Sequence, residues 1–170
     1  MQFFFISGSP DSGKTTMVRA VCDWLCSAKG YSYECVNSDG QEYAPLSTFP
    51  EIGTVKDFSC ILNKNQKTVL VHSATDNGYN IDLLDGYIKK YNPDVVISSC
   101  RDFCDWPRTN LCDVLGIVND EDLCSRNKNV MEFPLAKVTR RTKIVERQRW
   151  YLTNIFRYIK EILAKSPYDL

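Results

Sequence analysis

The sequence lacks an excess of charge of either sign, and this absence excludes several kinds of partner. Its 21 lysine and arginine residues are balanced by 21 aspartate and glutamate residues. Proteins that bind nucleic acid or anionic membranes by electrostatics usually carry a clear positive excess. From the bulk composition we therefore expect neither partner.

Long hydrophobic runs are also missing. The apolar residues 3–6 follow no basic segment and are too few for a signal peptide or a membrane span, and no other apolar run is longer. There is no internal repeat, low-complexity tract or linker. We therefore predict a soluble, cytoplasmic protein with a single domain at residues 1–170.

Closely spaced cysteine pairs are absent. None of the eight cysteines has C-x-x-C spacing; they are Cys22, Cys26, Cys35, Cys60, Cys100, Cys104, Cys112 and Cys124. Disulfide frameworks are typical of small secreted chains, and structural zinc sites usually draw on close pairs. Small, buried, reduced thiols are the favoured interpretation, with zinc at Cys100, Cys104, Cys112 and Cys124 as the alternative.

A phosphate-binding pattern is present near the start of the chain. The pattern G-x-x-x-x-G-K-[ST] is matched by Gly8, Ser9, Pro10, Asp11, Ser12, Gly13, Lys14 and Thr15, and Thr16 follows. In this pattern backbone N–H groups surround phosphates, the lysine reaches the outer phosphates, and the hydroxyl binds Mg²⁺. An apolar run precedes it, and apolar residues at helical spacing follow it at 17–28. The sequence therefore predicts a strand, a phosphate loop and a helix in succession.

The rest of the chain alternates strand and helix patterns. Strands are predicted at residues 3–6, 31–36, 68–71, 94–98 and 130–135, and helices at 54–62, 82–91, 111–115 and 144–163. We expect an α/β fold: a three-layer, doubly wound sheet of about five mostly parallel strands, with ligands at the strand carboxyl ends. Two polar segments, 41–53 and 101–129, are candidate functional loops, the second as a lid or insert.

On these residues the sequence resembles the P-loop NTPase superfamily, and within it the small nucleoside, nucleotide and adenylylsulfate kinases. The resemblance implies that ATP or another nucleoside triphosphate binds with Mg²⁺. It also implies that Lys14 and Thr16 contact phosphate and that Thr15 is a metal ligand. An Asn-Lys-x-Asp guanine pattern is absent, which favours ATP.

The resemblance also implies carboxylates near the phosphates. The position after the strand at 68–71 holds His72 in place of the usual acidic residue. Asp76 is the favoured metal-supporting carboxylate, and Asp102 is its competitor. Asp39, after the second strand, is the candidate for orienting or deprotonating the acceptor, although a plain Asp-Gly turn explains it equally well.

Arginines that neutralise charge on the transferred phosphoryl group are implied in the same way. Arg140 and Arg141 precede the last helix, and Arg101 and Arg108 lie in the segment at 101–129. The basic residues at 137–149 also fit a solvated helix face or a docking patch.

Two further groups of residues have alternative roles. His72, the one histidine, fits a hydrogen-bonded core residue better than a base. The aromatic residues Tyr43, Phe49, Tyr79 and Trp106 lie in loops, where they either stack on a ligand or pack the loop down.

The predicted function is phosphoryl transfer from Mg-ATP to a small-molecule acceptor. The alternatives are a nucleotide-dependent switch or ATPase that acts on a protein or nucleic-acid partner, and a domain that binds nucleotide for structure alone. The sequence leaves a homodimer open.

Overall fold

The computed structural model describes residues 1–37, 43–138 and 144–170. Six strands form one sheet: β1 (Gln2–Ser7), β2 (Ser32–Asn37), β3 (Ser59–Lys64), β4 (Lys67–His72), β5 (Val95–Cys100) and β6 (Val130–Pro134). Five helices connect them or pack on them: α1 (Lys14–Ser27), α2 (Gly78–Tyr91), α3 (Trp106–Leu115), α4 (Leu123–Arg126) and α5 (Ile144–Leu163). None of the helices in these ranges is long and apolar enough to cross a membrane.

The sheet is mixed, with the strand order β2-β3-β4-β5-β1-β6. Strands β4, β5, β1 and β6 are parallel, whereas β3 runs antiparallel to both β2 and β4. The first residue of β3, Ser59, pairs with His72 at the end of β4, and His72 pairs with Ser98 in β5. The beginning of β3 therefore lies at the same edge as the ends of the parallel strands, and we call this the carboxyl edge.

The prediction of an α/β sheet is confirmed. The sheet has six strands where about five were predicted, and among the described strands β3 alone runs against the direction of the others. The predicted helix at 54–62 is wrong, because β3 begins at Ser59. The spacing of Phe58, Ile61 and Leu62 fits a helix face, yet Ser59 to Leu62 are all buried, as in a strand covered on both faces. Asn65 and Gln66, with φ of 48° and 65°, then form the two-residue turn that joins β3 to β4 in a hairpin.

Two helix starts also differ from the prediction. The cap of α2 is Asn77, whose side chain accepts a hydrogen bond from the Asn80 N–H at 2.9 Å, and the predicted cap Asp82 lies inside the helix. Helix α3 starts at Trp106, five residues before the predicted start, with a proline in its first turn. Proline is tolerated there because the first N–H groups of a helix have no intrahelical partner.

The core lies on both faces of β1. Phe4 and Ile6 pack toward α1 and α5, and Phe3 and Phe5 pack toward α2 and α3. All four side chains are buried, which follows from the alternation of side chains along a strand with helices on both faces. Packing against both faces of β1 therefore fixes the position of its last residue, from which the loop to α1 begins.

Candidate phosphate-binding site

The chain between β1 and α1 forms a loop with an unusual backbone. Gly8, Asp11 and Gly13 have φ angles of 149°, 63° and 94°. Left-handed residues among right-handed ones turn successive N–H groups toward one side, which creates a concave anion site. Gly13 is also the N-cap of α1 and supplies no side-chain cap, so the first N–H groups of the helix have no side-chain acceptor from the cap residue.

Both glycines are favoured by their φ angles, and a side chain at either position would also force a neighbouring atom to shift. A Cβ atom on Gly8 would lie 2.7 Å from the Leu135 carbonyl oxygen, and one on Gly13 would lie 2.7 Å from Leu152 Cδ1. The loop is therefore packed between the chain after β6 and the inner face of α5. Gln148 on α5 adds a hydrogen bond from its Nε2 to the Asp11 carbonyl oxygen at 3.4 Å.

Lys14 is a buried cation without a carboxylate partner in the described ranges. Its side chain is 8% exposed, and Nζ donates to the carbonyl oxygens of Gly8 at 2.7 Å and Ser9 at 2.9 Å. Burial lowers the pKa of Lys14, and the charge of Arg101 lowers it further, while Asp76 and Asp102 act in the opposite direction. An anion bound beside Nζ would remove this electrostatic penalty.

A cavity of about 390 Å³ opens in front of the loop, and we call it the phosphate-loop cavity. Its walls come from the loop, α1, α5 and the carboxyl edge: Pro10, Asp11, Gly13, Lys14, Thr15, Thr16, Ile52, Gly53, Val55, Ser73, Asp76, Ser99, Arg101 and Gln148. Lys14 and Arg101 are its cations. Arg101 Nε donates to Asp76 Oδ1 at 2.6 Å, and the Asp76 side chain is 52% exposed.

A carboxylate that the sequence analysis did not select lies beside Thr15. The Thr15 hydroxyl donates to Asp57 Oδ1 at 3.4 Å, and the Ser73 hydroxyl lies 3.3 Å from the same oxygen. Asp57 comes directly before Phe58 and the start of β3, and the antiparallel direction of β3 brings it to the carboxyl edge. In the sequence, Asp57 is an acidic residue directly before an apolar run. Because that run is predicted to belong to a helix, Asp57 is not expected at the end of a strand.

Ser12 contributes a second buried polar group. Its Oγ has no hydrogen-bond partner within the described part of the chain, and the side chain is 1% exposed. Buried hydroxyls are normally hydrogen-bonded, so a site in which a ligand or water completes the partners of Ser12 is consistent with this orphan in the glycine-rich loop.

The residues predicted to form the loop are adjacent to the cavity, whereas the other predicted site residues differ in whether they line it. Residues 8–16 form the loop and the first turn of α1, and Asp76 lines the cavity. Asp102 is exposed and is not part of the cavity wall. Asp39, Arg140 and Arg141 lie outside the described residues.

Arg108, from the predicted lid segment, is a structural residue. It is 1% exposed and pairs with both carboxylate oxygens of Glu132, at 2.5 and 3.0 Å. It also donates to the Asn119 side chain and to the carbonyl oxygens of Arg101 and Asp120. Its donors are directed into the protein, so it is not placed to contact a phosphate.

The prediction that His72 is a hydrogen-bonded core residue is confirmed. Its Nδ1 lies 2.8 Å from Ser59 Oγ, its Nε2 contacts the Ala74 carbonyl oxygen, and the side chain is buried. Burial lowers the pKa of His72 from 6.5 to about 4. Of the aromatic residues predicted to lie in loops, Tyr43 is buried. The prediction is wrong for Tyr79 and Trp106, which lie at the starts of α2 and α3 and are exposed.

The cysteines form no candidate metal cluster. Within the described ranges no group of three His, Cys, Asp or Glu side chains is placed to hold a metal ion. Of the four cysteines considered for zinc, Cys104 and Cys124 are exposed, while Cys100 and Cys112 are buried. A Mg²⁺ ion needs no such cluster, because it is usually held by one or two protein oxygens together with substrate phosphates and water. The hydroxyl of Thr15 and the carboxylate of Asp57 fit that requirement.

We compared the chain with protein-family models, curated proteins and solved structures, and none of the three comparisons found a match.

Proposed function

We propose that this protein is a P-loop phosphotransferase: it binds a nucleoside triphosphate, by preference ATP, with Mg²⁺ and transfers the γ-phosphoryl group to a small acceptor. The observation that carries the proposal is the setting of Lys14. A buried ammonium group is held on the carbonyl oxygens of its own loop at the floor of an open cavity. The arrangement suits a polyphosphate, whose charge would be met by Nζ, by the loop N–H groups and by the N-terminus of α1.

Five residues in or beside the phosphate-loop cavity have a defined part in this proposal. Lys14 contacts the outer phosphates, and Arg101, held in place by Asp76, supplies the second positive charge. We assign the metal to Thr15 and Asp57 in place of Thr15 and Asp76, because Asp57 contacts Thr15 and Asp76 is paired with Arg101. When bound, Mg²⁺ neutralises charge that develops on the phosphate oxygens.

The first test is nucleotide affinity. Lys14→Met removes the ammonium group and keeps the length of the side chain, and Lys128→Met is the matched control, because Lys128 is exposed and precedes β6 at the opposite edge of the sheet. We expect Lys14→Met to raise the Kd of MgATP at least about thirtyfold, since truncating a desolvated charge partner costs roughly 2 kcal/mol or more. Equal affinities in Lys14→Met and wild type would contradict the site.

The second test distinguishes the classes of function. A phosphotransferase forms ADP slowly with MgATP alone and faster when an acceptor is added. Turnover that no acceptor changes, together with an oligomeric state that differs between ATP and ADP, would favour the switch or ATPase instead. A thermal shift with MgATP but no turnover would favour a structural nucleotide site.

A further inference from the structure

A second cavity, of about 260 Å³, adjoins the phosphate-loop cavity, and we call it the side cavity. It is formed by α1 and by the chain that leads into β3: Arg19, Tyr43, Leu46, Pro50, Glu51, Thr54, Val55, Lys56, Asp57 and Phe58. Val55 lines both cavities. Asp57 lines the side cavity and contacts Thr15, which lines the phosphate-loop cavity. The two cavities therefore meet where the end of a bound triphosphate would lie.

The side cavity is built around a flat cationic group. The Arg19 guanidinium lies 4.2 Å from the centre of the Tyr43 ring and 5.7 Å from that of Phe58, and the two rings stack at 5.5 Å. Both rings are almost fully buried, at 6% and 3% exposed. Arg19, whose side chain is 17% exposed, is therefore the most accessible group of this stack.

The position of Arg19 is fixed by its partners. Its Nε donates to both oxygens of Asp23, at 2.9 and 3.0 Å, and its Nη2 donates to the Ala44 carbonyl oxygen at 2.6 Å. The Asp23 carboxylate is buried and also accepts a hydrogen bond from the Tyr43 hydroxyl at 2.9 Å. The guanidinium is therefore held rigidly, and its charge is already balanced by Asp23.

The charges around the side cavity indicate the kind of ligand it favours. Its four ionisable side chains other than tyrosine are two cations, Arg19 and Lys56, and two anions, Glu51 and Asp57. Arg19 is already balanced by Asp23, Glu51 opposes Lys56, and Asp57 is assigned to the metal, so a phosphate or carboxylate would meet no unbalanced positive charge there. A planar unsaturated ring, in contrast, can stack on a fixed guanidinium without any charge of its own.

We propose that the side cavity binds the acceptor, and that the acceptor is an uncharged heteroaromatic alcohol. This inference rests on the proposed function. The ring lies against Arg19, and the hydroxyl reaches past Val55 and Asp57 to the γ-phosphate. In the transfer, the hydroxyl oxygen forms a bond to the γ-phosphorus and the bond from that phosphorus to the β–γ bridging oxygen breaks. ADP leaves, the product is a phosphate monoester, and the hydroxyl proton is released to water.

The test measures ADP formation from MgATP with three sets of acceptors. Adenosine, cytidine, thymidine and pyridoxine carry an uncharged ring and a hydroxyl group; ribose and glycerol lack the planar ring; AMP and CMP add a phosphate. We expect only members of the first set to accelerate ADP formation. If wild-type protein binds MgATP but responds to none of the first set, or responds better to ribose, glycerol, AMP or CMP, the inference is overturned while the phosphate site stands.

Two variants locate the acceptor. Arg19→Lys keeps a cation beside Asp23 and removes the planar group, and Leu46→Trp fills the side cavity from a position that is 43% exposed. We expect each to raise the KM of the best acceptor about tenfold, while the Kd of MgATP stays within about twofold of wild type. Val118→Trp is the matched control, at another exposed aliphatic position outside both cavities.

The outcomes separate the two proposals. If Arg19→Lys and Leu46→Trp both leave the acceptor KM unchanged, the acceptor does not bind in the side cavity, and the inference is wrong. Wild-type protein that fails to bind MgATP would instead contradict the proposed function, and this inference with it.

Discussion

Two regions of the molecule bury a cation, and they do so in opposite ways. At the glycine-rich loop, the hydrogen bonds of Lys14 Nζ to the described residues go to carbonyl oxygens, and Lys14 lines a cavity. Between α3 and β6, Arg108 is 1% exposed and forms a two-point ion pair with Glu132, supported by three further acceptors. Burying a charge is costly unless a partner of opposite charge compensates for it.

We infer from this difference that the Arg108 region is structural and that the Lys14 region is the candidate binding site. Arg108 has its compensation inside the protein, so its role is to connect α3, the chain after it and β6. Lys14 has hydrogen bonds but no opposite charge within the described ranges, so a bound anion would complete its environment. Three measurements test this distinction, beginning with the largest expected effect.

Glu132→Ala should be the most destabilising of these changes, because it leaves the Arg108 charge buried and unpaired. We expect the free energy of unfolding in urea to fall by about 3–5 kcal/mol. Glu121→Ala, at an exposed position, is the control and should change it by less than about 0.5 kcal/mol. Equal effects of the two variants would mean that the Arg108 pair is not the structural element described here.

His72 provides a third case, a titratable group that is buried without charge. Its pKa is lowered from 6.5 to about 4 by burial. Between pH 6.5 and pH 4 the imidazole of His72 is protonated in the unfolded chain but stays neutral in the folded protein. The free energy of unfolding therefore decreases as the pH is lowered through this range, and it levels off once His72 is also protonated in the folded protein, near pH 4. The expected loss from this group is about 3 kcal/mol.

The measurement is urea unfolding between pH 7 and pH 4 for wild type and His72→Gln. Carboxylates titrate in both proteins, so only the difference between the two profiles reports on His72. Glutamine does not titrate, so the free energy of unfolding of His72→Gln should decrease less steeply than that of wild type as the pH is lowered. Parallel profiles would show that the imidazole is not held neutral in the folded state.

Lys14→Met should have the smallest effect on stability, although it is expected to reduce nucleotide affinity strongly. The variant removes two hydrogen bonds but also a desolvated charge whose pKa burial has lowered. These effects oppose each other, so we expect the free energy of unfolding without nucleotide to stay within about 1 kcal/mol of wild type. A loss as large as that of Glu132→Ala would assign Lys14 a structural role and remove the contrast between the two regions.

Local patterns in the sequence predicted the elements that depend on neighbouring residues. The glycine-rich turn between β1 and α1, the strands β1, β5 and β6 and the long helix α5 lie close to where the spacing of apolar residues and the glycine pattern placed them. The strand β3 was missed because Phe58, Ile61 and Leu62 suit either a helix or a strand. The choice between them depends on pairing with β2 and β4, which a single segment does not contain.

The candidate site was predicted only in part for the same reason. Gln148 contacts Asp11 across 137 positions of sequence, and no local pattern connects two residues so far apart. Arg101 and Arg108 were equivalent candidates in the sequence. In the structure Arg101 lines the phosphate-loop cavity, while Arg108 is bound to Glu132.

The sequence by itself determined the α/β character of this protein and the position of its glycine-rich loop, because both follow from contacts between residues close in the chain. Only the tertiary structure decided which carboxylate stands beside Thr15, which arginine faces the loop, and that a second cavity adjoins the first. Those outcomes depend on the antiparallel direction of β3 and on the packing of α1 and α5. The direction of β3 and the packing of these helices bring together residues that are far apart in the sequence, and sequence separation does not predict such contacts.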